Sequence, residues 1–375
     1  MPDWLSSVAK LAAALEGGLD RAKYEVADRL LPPRGVHVRP YRGFGTRDAL
    51  HVSGRVLRNA PLAPAGAEDS SWANLLATWR RFESDEVPGA KLRARFGHAE
   101  VEVAADTEGY FHAELRPTAA LPLERAWHDV EVTLLEPRMA EGPVVVQAPV
   151  LVPPASASFL VVSDVDDTVV RTEATQLIRM ARNLLFGNAR TRLPFPGVAA
   201  FYRALAEGAG GAAANPLFYV SSSPWNLYDL LIELFEHRGI PVGPLLLRDW
   251  GLTPEELLPT RHAGHKLAAI TKVLDTYPAL PVLLIGDSGQ EDPEIYAQVI
   301  KEHPKRVMAA YIRNVSEETR AGAVRELALT VAKDGGTLLL LDDTVGAAKH
   351  AAENGWIARS ALAAIAADEV ADKTE

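Results

Sequence analysis

SFLVVSDVDDTVV, residues 158–170, places three aspartates in four positions behind an apolar run. An apolar run without polar alternation marks a strand buried on both faces, as in a parallel sheet covered by helices. The acids then stand where that strand ends, which in open α/β sheets is where ligands bind. Carboxylates so close repel one another, and each resists losing its water. Asp164, Asp166 and Asp167 therefore call for a counter-charge.

The pattern continues outward from that strand. Apolar runs at 217–220, 245–247, 282–285, 307–312 and 338–341 alternate with stretches of helical spacing. This predicts an α/β unit over 153–360: a Rossmann-like, mostly parallel sheet with helices on both faces. Residues 36–150 read differently, as short alternating runs such as Val130-Glu131-Val132-Thr133-Leu134 separated by turn residues. They predict a small antiparallel β-sandwich over 34–152. Within it, ADTEGYFHAEL (105–115) resembles the strand–turn–strand of transthyretin-like and carboxypeptidase regulatory-like sandwiches. Residues 1–33 read as a helical segment stopped by Pro32-Pro33. The Ala-rich, acidic tail, 361–375, is expected to fray.

Composition narrows the function. The 375 residues exceed one ordinary core, which favours two domains. A net charge of −10 argues against nucleic acid as a partner. The chain has no cysteine, so disulfides and thiolate metal sites are excluded. Neither a signal peptide nor a membrane span is read from the sequence, and a cytoplasmic protein is expected. The polar face of the first helix balances its charges, which favours packing on a domain over contact with a membrane.

The residues after each expected strand carry the chemistry. Asp164, Asp166 and Thr168 follow the first, Ser221 and Ser222 the second, and Asp287 and Asp292 the fourth, while Lys266 opens a helix. Several acids around one crevice need a cation. Mg²⁺ prefers oxygen ligands and is held by one or two carboxylates. Metal, lysine and hydroxyls together suit a phosphate group. A carboxylate beside it can attack phosphorus, and a second can serve as acid and then base.

D-x-D-x-T after a buried strand, a serine after the next, a lysine at a helix start and G-D-x-x-x-x-D occur in order over 159–292. This arrangement resembles the haloacid-dehalogenase-like phosphohydrolase superfamily. SDVDDTV, FYVSSSPWNLYD, GPLLLRDWG and LIGDSGQEDPEIY resemble, more narrowly, the phosphatidate phosphatase catalytic domain of the actin-patch-associated protein family, distantly akin to lipins. The resemblance implies a nucleophile at Asp164, also a Mg²⁺ ligand. It implies a proton shuttle at Asp166, which offers its backbone carbonyl to the metal. Thr168 would orient the loop, and Ser221 with Ser222 would meet the phosphoryl group. Lys266 would neutralise charge, and Asp287 and Asp292 would complete the metal site. Asp167 is read as a helix-capping bystander.

The insert 171–196 carries five arginines against one acid, together with Leu and Phe. It is read as a small cap in which Arg179 and Arg182 guide an amphiphilic phosphate ester. The implied function is a Mg²⁺-dependent phosphatidate phosphatase acting through an aspartyl-phosphate, with peripheral membrane contact open and protein partners undefined. Two alternatives stand beside it: a phosphatase for soluble esters, and a non-catalytic phospholipid-binding adaptor.

Overall fold

The computed structural model describes residues 35–58, 86–119, 121–122, 124–140, 142–165, 197–248 and 262–374. The expected helix within 1–33, the insert 171–196, and Asp166, Asp167 and Thr168 lie outside the described residues.

The N-terminal unit contains β1 (His37–Pro40), β2 (Gly43–Gly45), β3 (Leu50–Leu57), β4 (Lys91–Phe96), β5 (Ala99–Ala104), β6 (Tyr110–Leu115), β7 (Trp127–Glu136) and β8 (Val145–Leu151). Alternation decides its faces. His128, Val130, Val132 and Leu134 of β7 are buried, while Asp129 is exposed and Glu131 and Thr133 are half-buried. The inward residues form one cluster that includes Val52, Leu92, Phe111 and Val150.

All eight strands belong to one hydrogen-bonded sheet, in the order β1-β3-β2-β8-β7-β4-β5 with β6 on β3. Pairing is antiparallel except between β2 and β8. The expected division into two sheets is thus not made by the hydrogen bonding. At 105–115 the chain turns from β5 into β6, and these two strands hydrogen-bond to different neighbours. β5 pairs with β4, whereas β6 pairs with β3. Asp106 accepts hydrogen bonds from the backbone of Glu108 and Tyr110, and Gly109 takes φ 77°. That turn redirects the chain across the sheet.

The second unit is a six-stranded, all-parallel sheet in the order β11-β10-β9-β12-β13-β14. Its strands are β9 (Leu160–Asp164), β10 (Leu217–Pro224), β11 (Leu245–Arg248), β12 (Val282–Asp287), β13 (Val307–Arg313) and β14 (Leu338–Leu341). The helices are α1 (Val198–Glu207), α2 (Tyr228–His237), α3 (His262–Thr276), α4 (Asp292–Glu302), α5 (Glu318–Lys333), α6 (Thr344–Glu353) and α7 (Ala361–Thr374).

Strand parity sorts two cores. Val161, Tyr219, Leu283 and Tyr311 pack with residues of α1, α2, α6 and α7. Leu160, Val162, Phe218 and Leu284 pack with residues of α3, α4 and α5 on the other face. Both faces being covered is why these strands read as unbroken apolar runs. Among the described residues, no helix is long and apolar enough to cross a membrane.

The strand order reverses between β9 and β12. From β9 the chain steps outward to β10 and β11, then returns to β12 on the other side. Such a reversal leaves a crevice beyond the strand ends.

The fraying expected after residue 361 is not observed. Helix α7 buries Ile365 completely. Asp372 accepts from Gly197 N at 2.6 Å and Asp368 from Ala200 N at 3.0 Å. Glu369 accepts from Val345 N at 3.1 Å. Its acids thus supply the missing acceptors of two helix N-termini, α1 and α6, where negative charge is favoured. Gly197 permits this approach: it takes φ 74°, and a Cβ there would lie 2.9 Å from Glu369.

Candidate active site

The site forms where β9 and β12 end side by side. Ile285 pairs with Ser163, so Asp164 and Gly286 come level at the next step and Asp287 lies one beyond. Asp292 opens α4 and folds back over the same point. Its Oδ2 accepts from Asp287 N at 3.2 Å. Lys266, in the second turn of α3, bridges from the flank: its Nζ lies 2.7 Å from Asp164 Oδ1 and 2.7 Å from Asp292 Oδ1.

Water is nearly excluded from these groups. Asp292 is 0 % exposed, Asp164 2 %, Lys266 3 % and Asp287 4 %. One oxygen from each of Asp164, Asp287 and Asp292 falls within 4.8 Å of the others. Like charges at that separation repel by about 3–4 kcal/mol per pair at a protein-like dielectric. Three carboxylates outnumber the lysine that bridges two of them. The donor set is all hard oxygen, which fits Mg²⁺ or another hard divalent cation.

Several groups place these acids that the sequence reading did not single out. Gly286 is one. A Cβ there would lie 2.5 Å from Asp292 Oδ2 and 2.9 Å from the Tyr296 hydroxyl, so any side chain would push α4 off the strand. Tyr296 donates to Ile285 O at 2.8 Å. Burial first, then the charges of Asp292 and Asp164, hold its hydroxyl pKa well above the usual value, so it remains a neutral donor.

Beneath Asp164, Ser163 Oγ donates to the Asp164 carbonyl at 2.8 Å and contacts the Tyr202 hydroxyl at 2.6 Å. That relay fixes the last peptide of β9. Arg320 of α5 holds the β12–α4 loop from outside. It donates to Ser288 O at 3.1 Å, to Gln290 O at 2.6 Å and to the Glu294 carboxylate at 2.8 Å. The hydrogen bond from Arg320 holds the Glu294 carboxyl below its usual range.

The structure brings together Asp164, Lys266, Asp287 and Asp292 of the expected set. It sets Ser221 and Ser222 on the neighbouring strand, just past Val220, which is level with Asp164. Ser221 is buried and Ser222 half-buried. Asp166, Thr168, Arg179 and Arg182 lie outside the described residues.

Fold and site together define an open parallel α/β protein with a buried, lysine-bridged triad of acids at its strand-order reversal. Residues 159–314 match the family model described as Phosphatidate phosphatase APP1, catalytic domain. Phosphatidate phosphatase APP1 of Saccharomyces cerevisiae is 31% identical over 153 residues, 40% of this chain and 25% of that one. An uncharacterized protein of Schizosaccharomyces pombe is 25% identical over 226 residues, 59% of this chain and 35% of that one. The chain thus spans a quarter to about a third of the length of these curated relatives. Among solved structures, a carbohydrate acetylesterase from Xanthomonas citri aligns at 14% identity over 80% of this chain and 66% of that one. Its TM-score is 0.29.

Proposed function

We propose that this chain is a Mg²⁺-dependent phosphoric monoester hydrolase whose substrate is phosphatidate, released as diacylglycerol and phosphate. One observation carries the reading. Asp164, Asp287, Asp292 and Lys266 converge in a buried crevice inside the segment that matches the catalytic-domain family. In this reading the parallel sheet is haloacid-dehalogenase-like.

Asp164 attacks phosphorus, forming an aspartyl-phosphate as the ester P–O bond breaks. Asp166 gives its proton to the leaving alkoxide, then takes one from the water that attacks the aspartyl-phosphate. Phosphate leaves and the Asp164 carboxylate is restored. Lys266 holds Asp164 in place and offsets negative charge on the phosphoryl group. Ser221 and Ser222 donate to phosphoryl oxygens. Asp164, Asp287 and Asp292, with the Asp166 carbonyl, would hold Mg²⁺, which supplies positive charge to the phosphoryl oxygens. Phosphatidate sits in a bilayer, so Arg179 and Arg182 of the insert would meet its headgroup at a membrane surface.

The test is phosphate release from phosphatidate vesicles and from a soluble aryl phosphate, with Mg²⁺ and with chelator. Wild type should release phosphate only with Mg²⁺ and should prefer phosphatidate. Asp164→Asn should lose about 10³-fold or more in kcat. Full activity in that variant would discard the nucleophile, and equal activity on both substrates would discard the lipid.

A further inference from the structure

Strand β9 carries one hydroxyl, at Ser163, directly before Asp164. Strand parity turns its side chain to the face covered by α1, while Asp164 enters the crevice on the other face. Ser163 is 1 % exposed and sits level with Tyr219 and Ile285, both members of the apolar core on that face. A hydroxyl buried there has to be paired, and this pairing has a direction. The serine has one proton and gives it to the Asp164 carbonyl at 2.8 Å, because a carbonyl can only accept. The 2.6 Å contact with the Tyr202 hydroxyl is then made by the tyrosine proton. Burial raises the Tyr202 pKa above its usual value, so that proton stays in place. Donation runs from Tyr202 to Ser163 to the Asp164 carbonyl.

The same peptide is held at its other end, where Val165 N donates to Val220 O at 3.1 Å. The plane of the Asp164–Val165 peptide is thus fixed from two sides, and with it the backbone angle ψ of Asp164. Tyr202 reaches this point because Val198, Phe201, Tyr202 and Leu205 recur at helical spacing on the buried face of α1. Stability does not call for such a pair. Exchanging both hydroxyls for apolar groups costs little, whereas removing one partner leaves the other buried and unsatisfied.

We propose that Tyr202, acting through Ser163, is a positioning residue for the nucleophile: the relay sets the backbone at Asp164 so that its carboxylate meets phosphorus in line. Tyr202 packs on the α1 face, with the sheet between it and the helices that carry Lys266 and Asp292. It does not meet the substrate. The proposal rests on the reading of Asp164 as nucleophile.

The experiment compares wild type, Tyr202→Phe, Ser163→Ala and the double variant. Each is measured for hydrolysis of a soluble aryl phosphate, for inhibition by orthovanadate, which mimics the geometry of phosphoryl transfer, and for urea unfolding. Tyr202→Phe leaves the serine bond in place and should lower kcat about 3- to 10-fold at unchanged KM. Ser163→Ala removes the bond to the Asp164 carbonyl and should lower kcat about 10- to 100-fold. The orthovanadate inhibition constant should rise by the factor by which kcat/KM falls, because the transition-state geometry is what suffers. The double variant leaves no buried hydroxyl unsatisfied. It should recover stability relative to Ser163→Ala and remain as slow. If Ser163→Ala fails to fold, the double variant should still fold and be slower than Tyr202→Phe. Tyr277→Phe loses a buried tyrosine bond elsewhere, to Gly45 O, and should keep the wild-type kcat.

Unchanged kcat and orthovanadate inhibition in folded Tyr202→Phe and the double variant would overturn the proposal. So would a kcat that follows stability and returns in the double variant, or an equal loss in Tyr277→Phe, since either marks general loosening. A wild type that hydrolyses no ester, or Asp164→Asn with full activity, defeats the nucleophile reading and this proposal with it. The other negative results defeat the relay and leave that reading standing.

Discussion

At the scale of single residues, burial controls which groups can be charged. Asp164, Asp287 and Asp292 form a cluster of acids, two of them, Asp164 and Asp292, held against Lys266, and Gly286 makes the approach of Asp292 sterically possible. His128 shows the same control without a function attached. It is completely buried on β7, and burial first, then the Arg125 charge, pushes its pKa below the usual imidazole value. Well above the ordinary imidazole pKa of about 6.5 the ring is neutral both folded and unfolded, so its ionisation does not affect stability. As pH falls further, the unfolded chain takes up a proton that the folded ring resists, and stability is lost. Between about pH 7.5 and pH 5.5, wild type should therefore lose more stability than His128→Leu, measured by urea unfolding. Equal losses would show that the ring is not the acid-sensitive group.

At the scale of elements, the site depends on one outer helix. Arg320 of α5 bonds two carbonyls of the β12–α4 loop and the Glu294 carboxylate. The loop it grips begins after Asp287 and ends at Asp292. Arg320→Ala should lower stability by about 1–2 kcal/mol. It should also weaken Mg²⁺ binding, read by calorimetry, by about tenfold, as loss of outer supports to metal ligands does. Arg320→Lys keeps the charge but not the planar fork, and should recover only part of the loss. Unchanged Mg²⁺ affinity in Arg320→Ala would confine that arginine to stability. Helix α7 makes the complementary point. Its acids cap α1 and α6 from far along the chain, and no local pattern announces them.

At the scale of the whole molecule, two units differing in texture share one interface beside the site. Asp229, Glu236 and Tyr277 of the α/β unit meet Arg39, Arg42 and Gly45 of the β unit. Ligand uptake by the acid triad should be felt globally, because binding to the folded state alone stabilises it. At about a hundredfold excess over its Kd, Mg²⁺ should raise the wild-type melting temperature by about 5–10 °C. Asp287→Ala should lose most of that shift in the same scanning calorimetry. An undiminished shift would place the metal elsewhere.

Much of the parallel sheet was legible beforehand. β9, β12, β13 and β14 fall on the apolar runs, and Asp164 and Asp287 stand at strand ends as the spacing required. A strand buried on both faces must be apolar throughout, and charge cannot enter it until it ends, so this information is local in the sequence. Lys266 and Asp292 followed from their motif, but their shared salt bridge did not. The single β sheet, the Ser163–Tyr202 relay, Arg320 and the docking of α7 were decided by tertiary structure. Each joins residues far apart along the chain, such as Arg39 and Asp229 at a separation of 190. The sequence by itself determined where the acids would be presented. Tertiary structure alone decided what holds them in place, because those contacts depend on packing between elements and leave no periodicity in any one of them.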